Sequence, residues 1–227
     1  MLKGKGILTA FQAEVLRAFS RLPDADQFYL AGGTALSEFF FAHRLSYDLD
    51  LFTSQKGLVV PFSRSLEALL PEMLGKGTSV KTIRRFETFV EYEISGHGES
   101  VRVQLVLDSP FRFSPPEASE LGVLVNNFED ITTDKFLAYF GRSEPRDAID
   151  LFFILRTIDI QTLIGRARQK DPGFDTYWLA IAFQKASKFP DELHRWPVTM
   201  KVEVDIAKLK VVFSDLATRL LDDIRPK

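Results

Sequence analysis

Two aspartates that alternate with leucines are the residues of this chain with the clearest chemical potential. They stand in the run Asp48-Leu49-Asp50-Leu51. Side chains alternate across a β-strand, so both carboxylates leave by one face and both leucines by the other. Adjacent carboxylates repel unless a positive charge lies between them. Mg²⁺ or Mn²⁺ meets this requirement, because such ions take oxygen ligands and leave places for substrate phosphates. The alternative is a solvated strand face that Arg44 or a lysine neutralises.

A glycine pair precedes these acids. Gly32-Gly33 ends an apolar stretch and directly opens a predicted helix that Thr34 is placed to cap. Glycine lets a ligand approach the backbone closely, and the free N–H groups of a helix start attract anions. The order predicts a phosphate site facing a metal site, as phosphoryl transfer requires. The alternative is a tight strand-to-helix connection.

A third group of charged residues lies later in the chain, at Lys135, Arg146, Asp147 and Asp150. Lys135 follows a plausible helix cap and, as a compact charge, can serve a phosphate. Arg146 stands four residues before Asp150, so the alternative is an intrahelical ion pair beside an exposed helix lysine.

The elements that must position these residues follow from hydrophobic periodicity. Strands are predicted at 27–31, 48–51, 79–85, 88–95 and 100–107. Helices are predicted at 8–21, 34–43, 61–74, 131–141, 146–157, 160–169, 174–187 and 201–222. The segment 109–119, rich in proline and serine, is predicted to be a loop. In the last helices, Tyr177, Trp178 and Phe183 have the spacing of core residues, and the less favoured alternative is stacking on a nucleobase.

This order indicates an α+β fold in which a mixed sheet with flanking helices precedes a helical region. We predict two domains, 1–125 and 126–227, the second completing the cleft. The chain has no cysteine, which excludes disulfides and thiolate zinc sites. No apolar run reaches the roughly 20 residues of a membrane span, so we expect a soluble, cytoplasmic protein.

The net charge of −2 argues against a uniformly basic nucleic-acid binder. Residues 161–227 nevertheless hold twelve Lys and Arg against nine Asp and Glu. The small basic excess in this region could meet a polyanion.

The motifs resemble those of a known family. The run GGTALSEFFFAHRLSYDLDLF (32–52) is similar to the first motif of the AbiEii/AbiGii toxins, which belong to the DNA polymerase β-like nucleotidyltransferases. A second match, KFLAYFGRSEPRDAIDLFFI (135–154), resembles the lysine and Arg-Asp-x-x-Asp helices of that family.

The resemblance implies a metal-dependent nucleotidyltransferase, the toxin of a toxin–antitoxin or phage-defence pair. An NTP would be the donor, tRNA or another RNA end an acceptor, and an antitoxin encoded nearby a partner. It assigns the metal to Asp48 and Asp50 and catalytic roles to Lys135, Asp150 and Asp147. The residues it assigns to the nucleotide are Gly32, Gly33, Thr34, Arg44, Ser46 and Arg146.

One position departs from the superfamily pattern, which has a third carboxylate on a neighbouring strand. Gln104 occupies that position, and Asp108 lies on the same strand face about 13 Å further along. Either residue is a candidate third ligand. Gln104 also favours a second hypothesis, a degenerate, non-catalytic module that binds nucleotide or protein. A third hypothesis is transfer to a small molecule or a protein hydroxyl.

Overall fold

The computed structural model describes residues 1–224. The chain divides into two compact units, Met1–Phe128 and the residues from Glu129 onward. All the strands of the described residues lie in the N-terminal unit, and the C-terminal unit is helical.

The N-terminal unit is built on one mixed sheet, with the order β3-β4-β5-β2-β1-β7-β6 in the described residues. The β2–β5 and β1–β7 pairs are parallel, and the others are antiparallel. The predicted α+β fold is therefore confirmed. The strands are β1 (Tyr29–Leu30), β2 (Asp48–Thr53), β3 (Ser79–Phe86), β4 (Phe89–Gly96), β5 (Glu99–Leu107), β6 (Glu117–Ala118) and β7 (Leu124–Val125).

Three helical segments accompany the sheet: α1 (Ala10–Phe19), α2 (Gly32–Ala35), which continues as a π-helical segment (Leu36–Phe41), and α3 (Val59–Leu74). A capping box starts α1, since Thr9 Oγ1 accepts from the Gln12 backbone and Gln12 Oε1 accepts from the Thr9 backbone. Phe19 of α1 and Phe62 of α3 stack with centroids 5.1 Å apart. These aromatic contacts form the centre of the core.

Two predictions for this unit are wrong in detail. The strand predicted at 27–31 is only Tyr29–Leu30, because Ala25–Gln27 form a 3₁₀ turn. The loop predicted at 109–119 contains β6, which pairs with β7. Both departures concern strands of only two residues, whose pairings leave no periodic signal in a sequence.

The N-terminal segment is tied to the π-helical segment through Glu38, whose side chain is buried. Its carboxylate accepts hydrogen bonds from the backbone N–H groups of Gly6, Ile7 and Leu8 at 3.1, 2.6 and 2.9 Å. The Lys5 N–H donates to the Glu38 carbonyl at 2.9 Å. A buried carboxylate needs such donors, because desolvation without them is costly.

The C-terminal unit packs its helices around aromatic side chains. Tyr139 lies 5.5 Å from Phe183 and 5.2 Å from Phe213 between ring centroids, and its hydroxyl donates to the Ala182 carbonyl at 2.9 Å. Burial raises the pKa of the Tyr139 phenol well above its ordinary value. The helices are α4 (Phe128–Arg142), α5 (Pro145–Ile154), α6 (Ile160–Lys170), α7 (Thr176–Lys185) and α8 (Ile206–Ile224).

Of the three aromatic residues predicted to be helix core, only Phe183 is buried. Tyr177 and Trp178 are wrong predictions, since 47% and 61% of their surfaces are exposed. They stand at the start of α7, where Asp175 accepts a hydrogen bond from the Trp178 backbone. The first turn therefore points both rings outward, and the buried side of α7 begins at Leu179.

A buried ammonium links α6 to α4. Lys170 Nζ lies 2.8 Å from Asp130 Oδ1 and 2.5 Å from Asp134 Oδ1. Burial lowers the pKa of Lys170, but the Asp134 and Asp130 carboxylates outweigh it and raise that pKa above its ordinary value. Residues 1–224 contain no helix with the length and hydropathy that a bilayer crossing needs.

We predict that Lys170→Met lowers the free energy of unfolding by about 3 kcal/mol, because it leaves the fully buried Asp130 carboxylate without its ammonium. The exposed Lys201→Met, which removes the same charge, should change it by less than about 0.5 kcal/mol. Urea denaturation followed by circular dichroism measures both. Equal losses in the two variants would contradict the role assigned to the buried pair.

Candidate active site

The acid strand β2 has the alternation that the sequence predicts. Leu49 and Leu51 are fully buried, whereas Asp48 and Asp50 are half-buried on the opposite face. Parallel pairing with β5 sets Asp48 beside Arg102 and Asp50 beside Gln104. The leucines therefore fix the strand in the core and leave the two carboxylates side by side on its other face.

The glycine turn lies directly against these acids. The Ala31 N–H donates to the Asp50 carbonyl at 2.8 Å, and Gly32 then takes a positive φ of 67°. A Cβ added at Gly32 would overlap the Asp50 carboxylate. A Cβ at Gly33 would lie 2.5 Å from Arg44 Nη2. Only glycines permit this approach of the backbone to the charged groups.

The prediction that Thr34 caps the helix is wrong. The helix begins at Gly32 with Ala31 in the capping position, so Thr34 lies inside the helix. Its side chain is fully buried, and its hydroxyl donates to the Asp48 carbonyl. Thr34 therefore joins the glycine turn to the acid strand.

Arg44 and Ser46 connect the π-helical segment to β2. Arg44 is buried, and its Nη1 donates to the Leu45 carbonyl at 3.0 Å. The Ser46 hydroxyl would lie 2.9 Å from a Cβ at Gly33, and the Ser46 carbonyl accepts from Gln12 Nε2 at 3.0 Å. These contacts bring a guanidinium and a hydroxyl to the same glycine turn that the sequence singles out.

Gln104 replaces the third carboxylate, and a glutamate that the sequence analysis missed lies beyond it. Glu91 of β4 pairs in register with Gln104 and is buried. Its Oε1 accepts from Gln104 Nε2 at 3.3 Å, and Arg84 and Arg102 approach it at 3.5 and 3.4 Å. Glu91 therefore lies two strands from Asp50, and two guanidinium groups compensate its charge. The alternation in Phe89–Ile94 indicates its face, but the register with β5 has no signal in the sequence.

Asp108 is not placed to complete the acid pair. Its N–H bonds to the Thr53 carbonyl, at the opposite end of β2 from Asp48. The Asp108 carboxylate accepts from the Tyr29 hydroxyl and, at 2.8 Å, from the Ser109 N–H. β5 keeps its register with β2 as far as Leu107, which pairs with Thr53, so Asp108 is about 13 Å from Gln104 along the strand.

The donor set fits a cation that also binds phosphate. In the part of the chain that the structure describes, no group of three or more His, Cys, Asp or Glu residues could hold a metal ion. Two carboxylates together with substrate phosphates are nevertheless a normal ligand set for Mg²⁺. The Asp48–Asp50 pair supplies the carboxylates of that set.

A cleft of about 480 Å³ opens beside Asp48. Its volume falls in the range of small-molecule sites. Its lining includes acidic and basic side chains, so the cleft is suited to a polar ligand. It is lined by Tyr47, Asp48, Ile83, Glu93, Ser100 and Arg102.

The predicted catalytic residues of the second motif lie in the C-terminal unit. Lys135 is not the exposed helix lysine that the alternative reading requires. It is buried, and its Nζ lies 2.8 Å from Oδ2 of the fully buried Asp150. The Lys135 ammonium and the Asp150 carboxylate stabilise each other in this buried position.

The neighbouring charges are paired differently from the intrahelical pair considered above. Arg142 donates two hydrogen bonds of 2.6 Å to the Asp147 carboxylate, and this contact raises the pKa of the Arg142 guanidinium. Arg146 Nε lies 2.9 Å from Glu144 instead. Asp147 therefore holds the end of α4 against the start of α5.

We predict that Gly32→Ala destabilises the protein at least twice as much as Gly57→Ala. Both glycines have a positive φ, which costs any other residue about 1–2 kcal/mol. A Cβ at Gly57 meets open space, whereas one at Gly32 meets the Asp50 carboxylate. Urea denaturation compares the two variants, and equal losses would show that the backbone does not press on the acids.

Comparison with known proteins gives the fold and the family. An uncharacterized protein of Aquifex aeolicus is 28% identical over 145 residues, a match that covers 64% of this chain and 66% of that protein, just under two thirds of its length. A proposed nucleotidyltransferase from H. pylori superposes with a TM-score of 0.60 at 15% identity, covering 96% of this chain and 95% of that chain.

The nucleotidyltransferase toxin MenT4 from Mycobacterium tuberculosis superposes with a TM-score of 0.59 at 15% identity, covering 93% of this chain and 82% of that chain. At such identities the structures show the fold alone. A family model, described as nucleotidyl transferase AbiEii toxin of type IV toxin–antitoxin systems, matches residues 14–197. Because this match includes most of the chain, the protein belongs to the AbiEii nucleotidyltransferase toxin family.

Proposed function

We propose that this protein transfers a nucleotide from an NTP to the end of an RNA, in a reaction that requires Mg²⁺ or Mn²⁺. The observation that carries the proposal is the close approach of the Gly32 backbone to the Asp50 carboxylate. Phosphoryl transfer needs backbone N–H groups that hold an anion directly beside a carboxylate pair that holds a cation. Membership of the AbiEii family supports the same reaction class.

In the proposed reaction, a hydroxyl of the acceptor attacks the α-phosphorus of the NTP. The new P–O bond forms as the bond to the β-phosphate oxygen breaks, so pyrophosphate leaves and the hydroxyl proton passes to a base or to water. Asp48 and Asp50 would hold the cation, which neutralises charge on the phosphates. The N–H groups at the start of α2 would face the triphosphate.

Arg44 supports that arrangement with its charge. Its guanidinium lies against Gly33, so it adds positive charge to the turn. Ser46 lies at the same glycine and can donate a hydroxyl. Thr34 acts by joining the turn to β2, since its hydroxyl is already bound to the Asp48 carbonyl.

In the C-terminal unit we assign Lys135 to a phosphate and Asp150 to the orientation of Lys135. The 2.8 Å ion pair fixes the ammonium, which would otherwise lose rotamer freedom on binding its anion. Asp147 organises the start of α5 through Arg142, and Arg146 would exchange its partner Glu144 for the nucleotide.

The partner proposed for the protein is an antitoxin. The description of the matching family as the toxin of a type IV toxin–antitoxin system supports this. An antitoxin of that type would restrain the activity of the toxin in the cell, so co-expression should relieve any growth defect that the active protein causes.

We predict that Asp48→Asn and Asp50→Asn each lower nucleotide transfer by about 10³-fold, because each removes one of two charges that hold the cation. The assay is incorporation of each labelled NTP into total RNA with Mg²⁺. Asp108→Asn is the matched control: it removes a carboxylate bonded to Tyr29 and should retain activity close to that of the unaltered protein.

The same two variants should unfold at an equal or higher urea concentration than the unaltered protein, since each relieves repulsion between adjacent carboxylates. A loss of activity with retained stability separates the chemistry from folding. Transfer that persists in both variants would overturn the assignment of the acids. Calorimetric NTP binding without transfer to RNA, protein or small-molecule acceptors would support the non-catalytic module that Gln104 favours.

A further inference from the structure

Helix α7 has an outward face that the proposed chemistry does not use. It starts with Tyr177 and Trp178, whose rings are exposed and meet edge to face with centroids 5.4 Å apart. At 100° per residue, the side chains at 177, 178, 181, 184 and 185 fall within one arc of about 120°. Lys188 ends the 3₁₀ turn Ala186–Lys188 that directly follows α7. The face therefore runs from two aromatic rings at one end to Lys185 and Lys188 at the other.

The two lysines at the far end are available to a ligand. Lys185 and Lys188 are largely exposed, and no carboxylate of residues 1–224 forms an ion pair with either. The nearby Lys210 differs, since its ammonium binds the Phe189 carbonyl and Asp191. A hollow of about 420 Å³ lies at this end. It is lined by Ile181, Phe183, Gln184, Lys185, Ser187, Lys188, Lys210 and Ser214.

We propose that this face, the α7 face, binds a single-stranded segment of RNA. Bases would stack on Tyr177 and Trp178, and phosphates would contact Lys185 and Lys188. This combination of aromatic platforms with a positive groove is how proteins hold single strands without reading their sequence. The identity of the ligand rests on the proposed function, which makes RNA the acceptor, but the binding surface is independent of the catalytic residues.

The dimensions and chemistry favour a single strand over two other ligands. From residue 177 to residue 188 the helix and its 3₁₀ turn rise about 18 Å, the length of about five stacked nucleotides at ~3.4 Å each. The bases of a duplex are stacked on one another, so the exposed rings of Tyr177 and Trp178 could not stack on them. An acidic peptide would form ion pairs with the lysines but has no base to stack on the aromatic pair.

The first test measures how much the two lysines contribute to RNA affinity. Binding of a fluorescein-labelled 12-nucleotide oligouridylate is followed by fluorescence anisotropy, in EDTA and without NTP. We expect Lys185→Ala/Lys188→Ala to weaken binding about tenfold at low salt. The slope of log Kd against log salt should fall by about 1.4, because each single-strand phosphate contact contributes ~0.7. The matched control is Lys5→Ala/Lys56→Ala, which removes two exposed lysines of the N-terminal unit and should leave both quantities unchanged.

The second test measures the aromatic rings. Trp178→Ala should weaken binding of the oligouridylate about tenfold, the effect of losing one base–aromatic stack. Trp178→Phe should restore most of the affinity. RNA should also quench tryptophan fluorescence in the unaltered protein, and most of the quenching should vanish in Trp178→Phe, since the other tryptophan, Trp196, is buried.

The outcomes separate this proposal from the catalytic one. Unchanged RNA affinity in both the lysine and the Trp178 variants would overturn the α7 face as an RNA site. Equal affinity for a duplex of the same length would overturn the single-strand assignment. If the lysine and Trp178 variants lost binding to an acidic antitoxin segment but kept their RNA affinity, the α7 face would be a protein-binding surface instead. Binding that persists in Asp48→Asn, where transfer has failed, would support the α7 face whatever the fate of the proposed reaction.

Discussion

Repulsion between two carboxylates on one face of β2 is the constraint on which the N-terminal unit depends. The buried leucines of the same strand prevent Asp48 and Asp50 from turning away from each other. The surrounding structure answers this constraint with a bare backbone and with side chains that hold the turn. A glycine without Cβ lies against Asp50, a threonine hydroxyl holds the Asp48 carbonyl, and a buried guanidinium lies against Gly33.

The sequence predicted this strand because its signal is local: alternation over a few residues fixes which side chains share a face. The same reasoning fails between strands. No pattern states that Glu91 of β4 stands beside Gln104, because register depends on turn geometry and on packing of the whole sheet. Thr34 shows a smaller failure, since a threonine after two glycines has the chemistry of a cap whether or not the helix starts earlier.

The C-terminal unit shows a second limit. Helices α4–α8 follow from periodicity, yet the exposure of individual residues on them does not. Lys135 is buried because Asp150 lies within reach across two helices, and Trp178 is exposed because the first turn of α7 faces outward. Partner and orientation are properties of packing, so a composition-based assignment of lysine to the surface and tryptophan to the core misplaces both.

The attachment of the first residues to Glu38 has a practical consequence for handling the protein. Three backbone amides before α1 are bonded to the segment that continues directly from the glycine turn. A second attachment lies at Leu2, whose N–H donates to the Ala118 carbonyl. Residues 2–8 thus form a strap across the N-terminal unit. Deletion of these residues would leave the buried Glu38 carboxylate without those three donors and loosen the segment that follows the glycine turn.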